Sequence, residues 1–151
     1  MGNKSPAALF TGALITSTIG ALMLLIFDFG GWYYRVEYAG AELDRYGAVG
    51  LLSAYFPLVL VLAASLLYAS YVSYTGLRPG NSLANRGQVN RAFWATLVVF
   101  LILVAGAVIF AVLMAAQGLE DWWLDAGFYG GAIGSALSAV LLRLGLQNLP
   151  D

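Results

Sequence analysis

The sequence predicts an all-α fold, a bundle of four transmembrane helices with both termini on the cytoplasmic side. Apolar residues make up 61% of the chain and charged residues only 10%, whereas a soluble domain carries roughly 25% charged residues. The apolar residues form four long runs, and the charged residues between the runs segregate by sign. With 151 residues the chain has room for one domain.

The four apolar runs have the length that a membrane crossing requires. A helix rises about 1.5 Å per residue, so roughly 20 residues cross a hydrocarbon layer of about 30 Å. The predicted spans are residues 7–29, 48–74, 92–116 and 126–146. The fourth run is glycine-rich and contains a charge near its end, which leaves a re-entrant hairpin as its alternative. The first run exceeds the roughly 7–15 apolar residues of a cleaved signal peptide, so we expect a retained helix.

Basic residues set the predicted orientation. Most of them lie on the side that holds the two termini and the loop between the second and third spans. They are Lys4, Arg78, Arg86, Arg91 and Arg143. The positive-inside rule makes this side cytoplasmic. Nearly all acidic residues lie on the other side. The sequence thus predicts a multi-pass protein of the cell membrane.

Aromatic residues cluster in the two segments that are predicted to lie outside. Indole and phenol rings prefer the headgroup level, so most of these rings need no role beyond anchoring. Five of them are candidates for contact with another molecule at the outer surface: Trp32, Tyr33, Tyr34, Trp122 and Trp123.

Small residues recur at intervals of four along the predicted helices. Such rows let helix backbones approach closely, which is a main source of helix association in lipid. The candidate packing residues are Gly12, Thr16, Gly20, Gly127, Gly130, Gly131, Gly134, Ser135 and Ser138. Either these rows close the bundle on itself, or one face of the fourth helix stays free for a partner protein or a second copy.

Pro57 lies inside the second predicted span. Proline removes a backbone hydrogen bond and clashes with the preceding turn, so we expect a kink near residues 53–57. Such a kink shapes helix packing in one interpretation and gates a transport path in another. The candidate lining residues of such a path are Ser65, Tyr68, Tyr71 and Ser73.

The composition offers little to a catalytic or cofactor site. The chain contains no cysteine and no histidine, which excludes disulfides, thiolate metal sites and imidazole general bases. Ionisable residues lie only at the edges of the predicted membrane layer, and the outer acids match no calcium-loop spacing. We therefore predict no enzyme activity, no cofactor and no metal. The net charge of −1 also gives no field that attracts nucleic acid.

Two short stretches resemble tetraspan membrane proteins of the claudin and peripheral-myelin type. They are Trp32, just outside the first span, and the entry to the fourth span, Gly127-Phe128-Tyr129-Gly130-Gly131-Ala132. The resemblance implies four helices with both termini inside. The chain departs from that pattern in its shorter first outer loop, which lacks the Gly-Leu-Trp element and the two cysteines that follow it. The resemblance carries over no functional residue.

Three functions stay open from the sequence. The first is a non-catalytic subunit or scaffold that packs against other membrane proteins in a larger assembly. The second is a claudin-like adhesion or junction protein that self-associates through its outer aromatic segments. The third is a small transporter or channel formed by an oligomer. The expected partners are membrane lipids and either other membrane subunits or further copies, and not nucleic acid.

Overall fold

The computed structural model describes residues 6–49, 56–77 and 86–147. The helices in these ranges are α1 (Pro6–Ile26), α2 (Phe56–Leu77), α3 (Arg86–Ala116) and α4 (Ala126–Gln147). The strands are β1 (Gly30–Tyr38), β2 (Ala41–Val49) and β3 (Trp122–Leu124). The protein is thus mostly helical, and its strands occupy both segments that were predicted to lie outside.

All four helices are long and apolar enough to cross a membrane. The longest, α3, has 31 residues and begins before the predicted span of 92–116, because its first turns carry polar residues that a search for apolar runs omits. The helix α1 ends at Ile26 rather than at residue 29. The second span was predicted to begin at residue 48, and this was wrong: Ala48 and Val49 belong to β2.

The prediction of an all-α fold was wrong in omitting a three-stranded antiparallel sheet, with strand order β2-β1-β3. β1 pairs with β2 along its whole length, from Gly30↔Val49 to Tyr38↔Ala41. β3 pairs only with the first three residues of β1. Aromatic residues such as those of β1 favour strands, but at a membrane boundary the same residues also fit an anchoring belt.

The helices form a ring in which α1 packs against α2 and α4, and α3 packs against α4 and α2. One buried cluster, around Leu24, Leu66 and Leu103, fills the half of the bundle next to the sheet. A second, around Phe10 and Leu142, fills the opposite half. We call these two ends of the bundle the sheet end and the loop end.

Glycines let α1 and α4 approach each other at backbone distance. A Cβ atom added to Gly134 would lie 2.7 Å from the carbonyl oxygen of Thr16 and 2.9 Å from the Cα atom of Gly20. One added to Gly12 would lie 2.9 Å from a methyl group of Leu141. These small residues therefore serve the α1–α4 interface of the chain itself.

Two further glycines of α4 also lie directly against side chains of the same protein chain. A Cβ atom at Gly131 would lie 2.8 Å from Leu24 and 3.0 Å from Leu103. At Gly130 it would overlap the side chain of Met23.

Buried hydroxyl groups complete these interfaces. Ser135 and Ser138 are fully buried, and the Oγ atom of Ser138 lies 2.7 Å from Oγ1 of Thr16. Ser17 of α1 similarly lies 2.8 Å from Ser70 of α2, measured between the Oγ atoms. The small-residue rows of α4 thus close the bundle on itself, and they leave none of these faces free for a partner.

Pro57 is the second residue of α2 as described, and the first turn of a helix tolerates proline because its N–H groups lack intrahelical partners. Residues 53–55 of the predicted kink lie outside the described residues. Along α2, Tyr68 and Tyr71 are exposed, whereas Ser73 is buried and donates a hydrogen bond to the carbonyl oxygen of Ala69. These side chains do not share one lumen within the chain, so a transport path along them would require an oligomer.

We predict that Gly134→Ala destabilises the bundle. Overpacking costs about 1–3 kcal/mol, and the atoms in the way are backbone atoms that cannot rotate aside. Contacts below 3.0 Å with backbone atoms of α1 place the cost in the upper part of this range, above the roughly 1 kcal/mol that alanine contributes over glycine in a helix. The melting temperature in mild detergent should therefore fall.

The matched control is Gly106→Ala in α3, where an added Cβ atom would lie 3.5 Å from the ring of Phe29, an ordinary contact. Its melting temperature should stay level or rise. An equal fall for both variants would contradict the α1–α4 packing described here.

Candidate interaction surface

The sheet stands on an aromatic cluster at the sheet end of the bundle. Phe110 of α3 lies at its centre and is buried. Its ring centroid lies 6.2 Å from that of Phe29, 6.0 Å from that of Trp32 and 5.8 Å from that of Trp122. Edge and tilted arrangements of this kind are the ones that ring quadrupoles favour. The first residues of β1 and all of β3 are therefore tied to α3.

Two tryptophans cover glycines on neighbouring strands. A Cβ atom at Gly47 would lie 2.5 Å from the indole of Trp32, its cross-strand partner. A Cβ atom at Gly31 would lie 2.6 Å from the indole of Trp123, again its cross-strand partner. An aromatic ring over a strand glycine is a known device for fixing strand register. The two pairs fix the strand register at the end of the sheet next to the helices, one pair on each face of the sheet.

Backbone hydrogen bonds connect this lower part to the helices. The N–H of Phe29 donates to the carbonyl oxygen of Val49 at 2.6 Å, and the N–H of Asp125 donates to that of Phe29 at 2.8 Å. The N–H of Gly127 donates to the carbonyl oxygen of Asp28 at 3.0 Å. The end of α1, the end of β2 and the start of α4 thus meet at one point.

Asp125 has a structural role among the acids of the sheet end. Its Oδ1 atom accepts a hydrogen bond from the N–H of Ala126 at 2.7 Å, and its carbonyl oxygen accepts one from the N–H of Tyr129 at 3.2 Å. A carboxylate here satisfies a free N–H group and complements the positive end of the helix dipole. Within the described residues, no group of three acidic side chains is placed to hold a metal ion.

Above this base the β1–β2 hairpin extends away from the helices, and among the described residues it is joined to the base through Tyr33, whose N–H donates to the carbonyl oxygen of Asp121 and whose ring packs on Trp123. From residue 33 to residue 45, every side chain that the structure describes is exposed. We call residues 33–45 the exposed hairpin. β3 does not reach beyond the partner of Trp32, so this part is a two-stranded ribbon. Such a ribbon is marginally stable at best in water when it stands alone.

The exposed hairpin carries charges of both signs. Arg35 and Glu42 form an ion pair of 3.6 Å between Nη1 and Oε2, with both side chains exposed. Exposed pairs of this kind contribute about 0–1 kcal/mol. Glu37 and Arg45 add one further charge of each sign. This one described ion pair therefore adds little to the stability of the ribbon, whose described charges are of both signs.

The five outer aromatic residues predicted from the sequence divide into two groups. Tyr33 and Tyr34 have 53% and 38% of their surface exposed. Trp32, Trp122 and Trp123 are half-buried and belong to the base of the sheet. Among the aromatic side chains of the exposed hairpin that the structure describes, the two tyrosines are thus the exposed ones.

A shallow polar cleft adjoins the two tyrosines. Its volume is about 390 Å³, and it lies between β1 and the turn that follows α3. Its lining residues are Tyr33, Tyr34, Arg35, Gly118, Leu119, Glu120 and Asp121. The backbone carbonyl of Asp121 accepts a hydrogen bond from the N–H of Tyr33 at 2.9 Å, which closes the floor of the cleft. The exposed hairpin and this cleft form one continuous candidate surface.

No protein-family profile, no curated protein and no solved structure matches this chain.

We predict that Ala39→Asn stabilises the exposed hairpin. Ala39 and Gly40 form a two-residue turn with φ angles of 54° and 82°, the signs that a type I′ turn requires. The left-handed region raises the conformational free energy of alanine by roughly 1–2 kcal/mol, and that of asparagine by less. Amide hydrogen exchange of Tyr34 to Ala41 should become slower.

The matched control is Ala41→Asn, one position beyond the turn, where asparagine fits a strand poorly. Exchange there should stay level or become faster. Slower exchange in both variants would show that the gain is unrelated to the turn.

Proposed function

We propose that this chain is a non-catalytic subunit or scaffold of the cell membrane, which crosses the bilayer four times and docks to another membrane protein through its exposed hairpin. The observation that carries the proposal is the hairpin itself, a two-stranded ribbon whose described side chains are all exposed between residues 33 and 45. Isolated ribbons of this kind are marginal, and tyrosine is enriched at protein interfaces. The proposed docking surface includes Tyr33, Tyr34 and the adjoining polar cleft.

Membrane insertion is supported by the apolar outer faces of the helices. Most of the spanning part of α3 is exposed in the isolated chain. Large apolar side chains such as Leu101, Val108, Ile109 and Val112 lie on this surface. In water a patch of this size would drive aggregation, whereas lipid tails accept it.

The loop end is proposed to face the cytoplasm. Arg86 donates a hydrogen bond from Nη1 to the carbonyl oxygen of Leu146 at 2.9 Å, and the guanidinium of Arg143 lies 5.8 Å from the ring centre of Phe93. Arg91 is exposed beside them. Basic residues on this side fit the positive-inside rule and attract anionic headgroups, at about 1 kcal/mol each. Membrane lipids are therefore expected partners as well.

Self-association is the second candidate, in the manner of a claudin-like junction protein. It is favoured by the mixed charges of the exposed hairpin, since Arg35 and Arg45 on one copy can face Glu37 and Glu42 on another. Two-fold contacts between identical patches need this kind of self-complementarity. The tests below separate a second copy from a different protein.

We predict that Tyr33→Ala combined with Tyr34→Ala removes the partner. Purification of the tagged chain from its native membrane in mild detergent should recover partner chains in fixed ratio. Interface tyrosines contribute about 2 kcal/mol when they are hot spots, so recovery should fall more than tenfold in the double variant. Co-expression of two differently tagged copies shows whether the partner is this chain or another.

The matched control is Tyr71→Ala with Tyr74→Ala, which truncates two exposed tyrosines of α2 away from the sheet. Recovery should be unchanged there. A wild-type chain that purifies as a lone monomer, or a partner that persists in the hairpin variant, would overturn the proposal. Hydrogen exchange of the sheet base checks that the hairpin variant stays folded.

Orientation can be tested without background labelling, because the chain has no cysteine. We expect Glu37→Cys to react with a membrane-impermeant maleimide in intact cells. Arg91→Cys should react only after the membrane is permeabilised. Reaction of both from the same side would contradict a four-span topology.

A further inference from the structure

A groove opens between α2 and α3 directly beneath the sheet. Its volume is about 350 Å³, at the lower end of the range for small-molecule sites. Leu62, Leu103 and Phe110 form its floor, and all three are buried. Leu58 and Ile109 lie on its rim and are exposed. The groove is therefore deep enough to have an interior and is open on the outer side of the bundle.

The groove has one apolar end and one end with polar atoms. Toward the middle of the bundle it is lined by Leu24, Leu62 and Leu103, which belong to the core. Toward the sheet it reaches Trp32 and Gln117. An indole N–H and a side-chain amide suit the headgroup level of a bilayer. With the helices inserted as proposed above, the end near Trp32 and Gln117 would lie at the headgroup level and the end near Leu24 in the hydrocarbon layer.

Its size decides between the possible occupants. A helix with its side chains is about 10–12 Å across, so 350 Å³ would hold roughly 5 Å of helix or less. A helix from a second copy or from a partner could rest on the rim but could not fill the groove. An acyl chain is unbranched and flexible, so part of its length can enter an apolar groove of this volume. It is also the molecule that surrounds the opening at this depth.

We propose that the groove binds one acyl chain of a lipid from the leaflet on the sheet side. This proposal rests on the membrane insertion proposed above and not on the docking of the exposed hairpin. The acyl chain would pack against Phe29 and Phe110. It would fill the space that separates α2 from α3 beneath the sheet. The lipid would then support the base of the sheet from below.

Gly106 provides a direct way to close the groove. It lines the groove, and a Cβ atom there would lie in ordinary contact with the ring of Phe29, at 3.5 Å, so a larger side chain would have to extend into the groove itself. Gly106→Phe should occupy the site, whereas Gly106→Ala should leave it open. Val108→Phe adds the same ring on an exposed face of α3 and serves as the matched control.

The test uses the full chain in phosphatidylcholine nanodiscs that contain a phosphatidylcholine with a photoactivatable diazirine on one acyl chain. After irradiation, mass spectrometry locates the labelled residues. We expect label on the floor residues Leu62 and Leu103, which bulk lipid does not reach. Gly106→Phe should reduce this floor label at least tenfold, whereas Gly106→Ala and Val108→Phe should retain it.

Two results would overturn the proposal. One is an absence of floor label in the wild-type chain, with label only on exposed positions such as Val112. The other is floor label that persists in a Gly106→Phe variant whose melting temperature matches that of the wild type. Should that variant fail to fold, Gly106→Leu provides the same comparison with a smaller side chain. Partner recovery in detergent is measured separately, so failure of the hairpin docking leaves this test intact.

Discussion

The close approach of α1 to α4 is the constraint on which the rest of the structure depends. Gly20 and Gly134 bring the two backbones together in the middle of the bundle. Gly127 continues this contact to the end of α1, where an added Cβ atom would lie 2.6 Å from the carbonyl oxygens of Phe27 and Asp28. In lipid the hydrophobic effect gives helices little reason to associate, so such close contacts decide which helices pair.

The sheet follows from that contact. Because the start of α4 is held against the end of α1, the short strand before α4 and the strand after α1 leave the bundle side by side. The first three residues of β1 then pair with β3. The rings around Phe110 fill the space beneath this pairing. The sheet is thus placed by helix packing and by the aromatic contacts at its base.

The helices were predictable from the sequence because each is a long apolar run, and membrane-crossing runs are the strongest signal a sequence carries. The small-residue rows were also found, although only the structure shows that Gly131 and Gly134 face helices of the same chain. The β1–β2 hairpin was missed because its aromatic residues also fit an anchoring belt. The strand β3 was missed because its pairing with β1 spans about 90 residues of chain. No local pattern reveals that Trp123 covers Gly31.

Because β3 is much shorter than β1 and β2, the sheet is three-stranded only at its base and projects from the bundle as two strands. β1 has nine residues, and only the three at its base are held by β3. Nine extended residues reach about 30 Å, so a tilt of roughly 10° at the base would displace the Ala39–Gly40 tip by about 5 Å. The base is attached to α1, α3 and α4 together, so a small change in how these helices lean becomes a large displacement at the surface where a partner would bind.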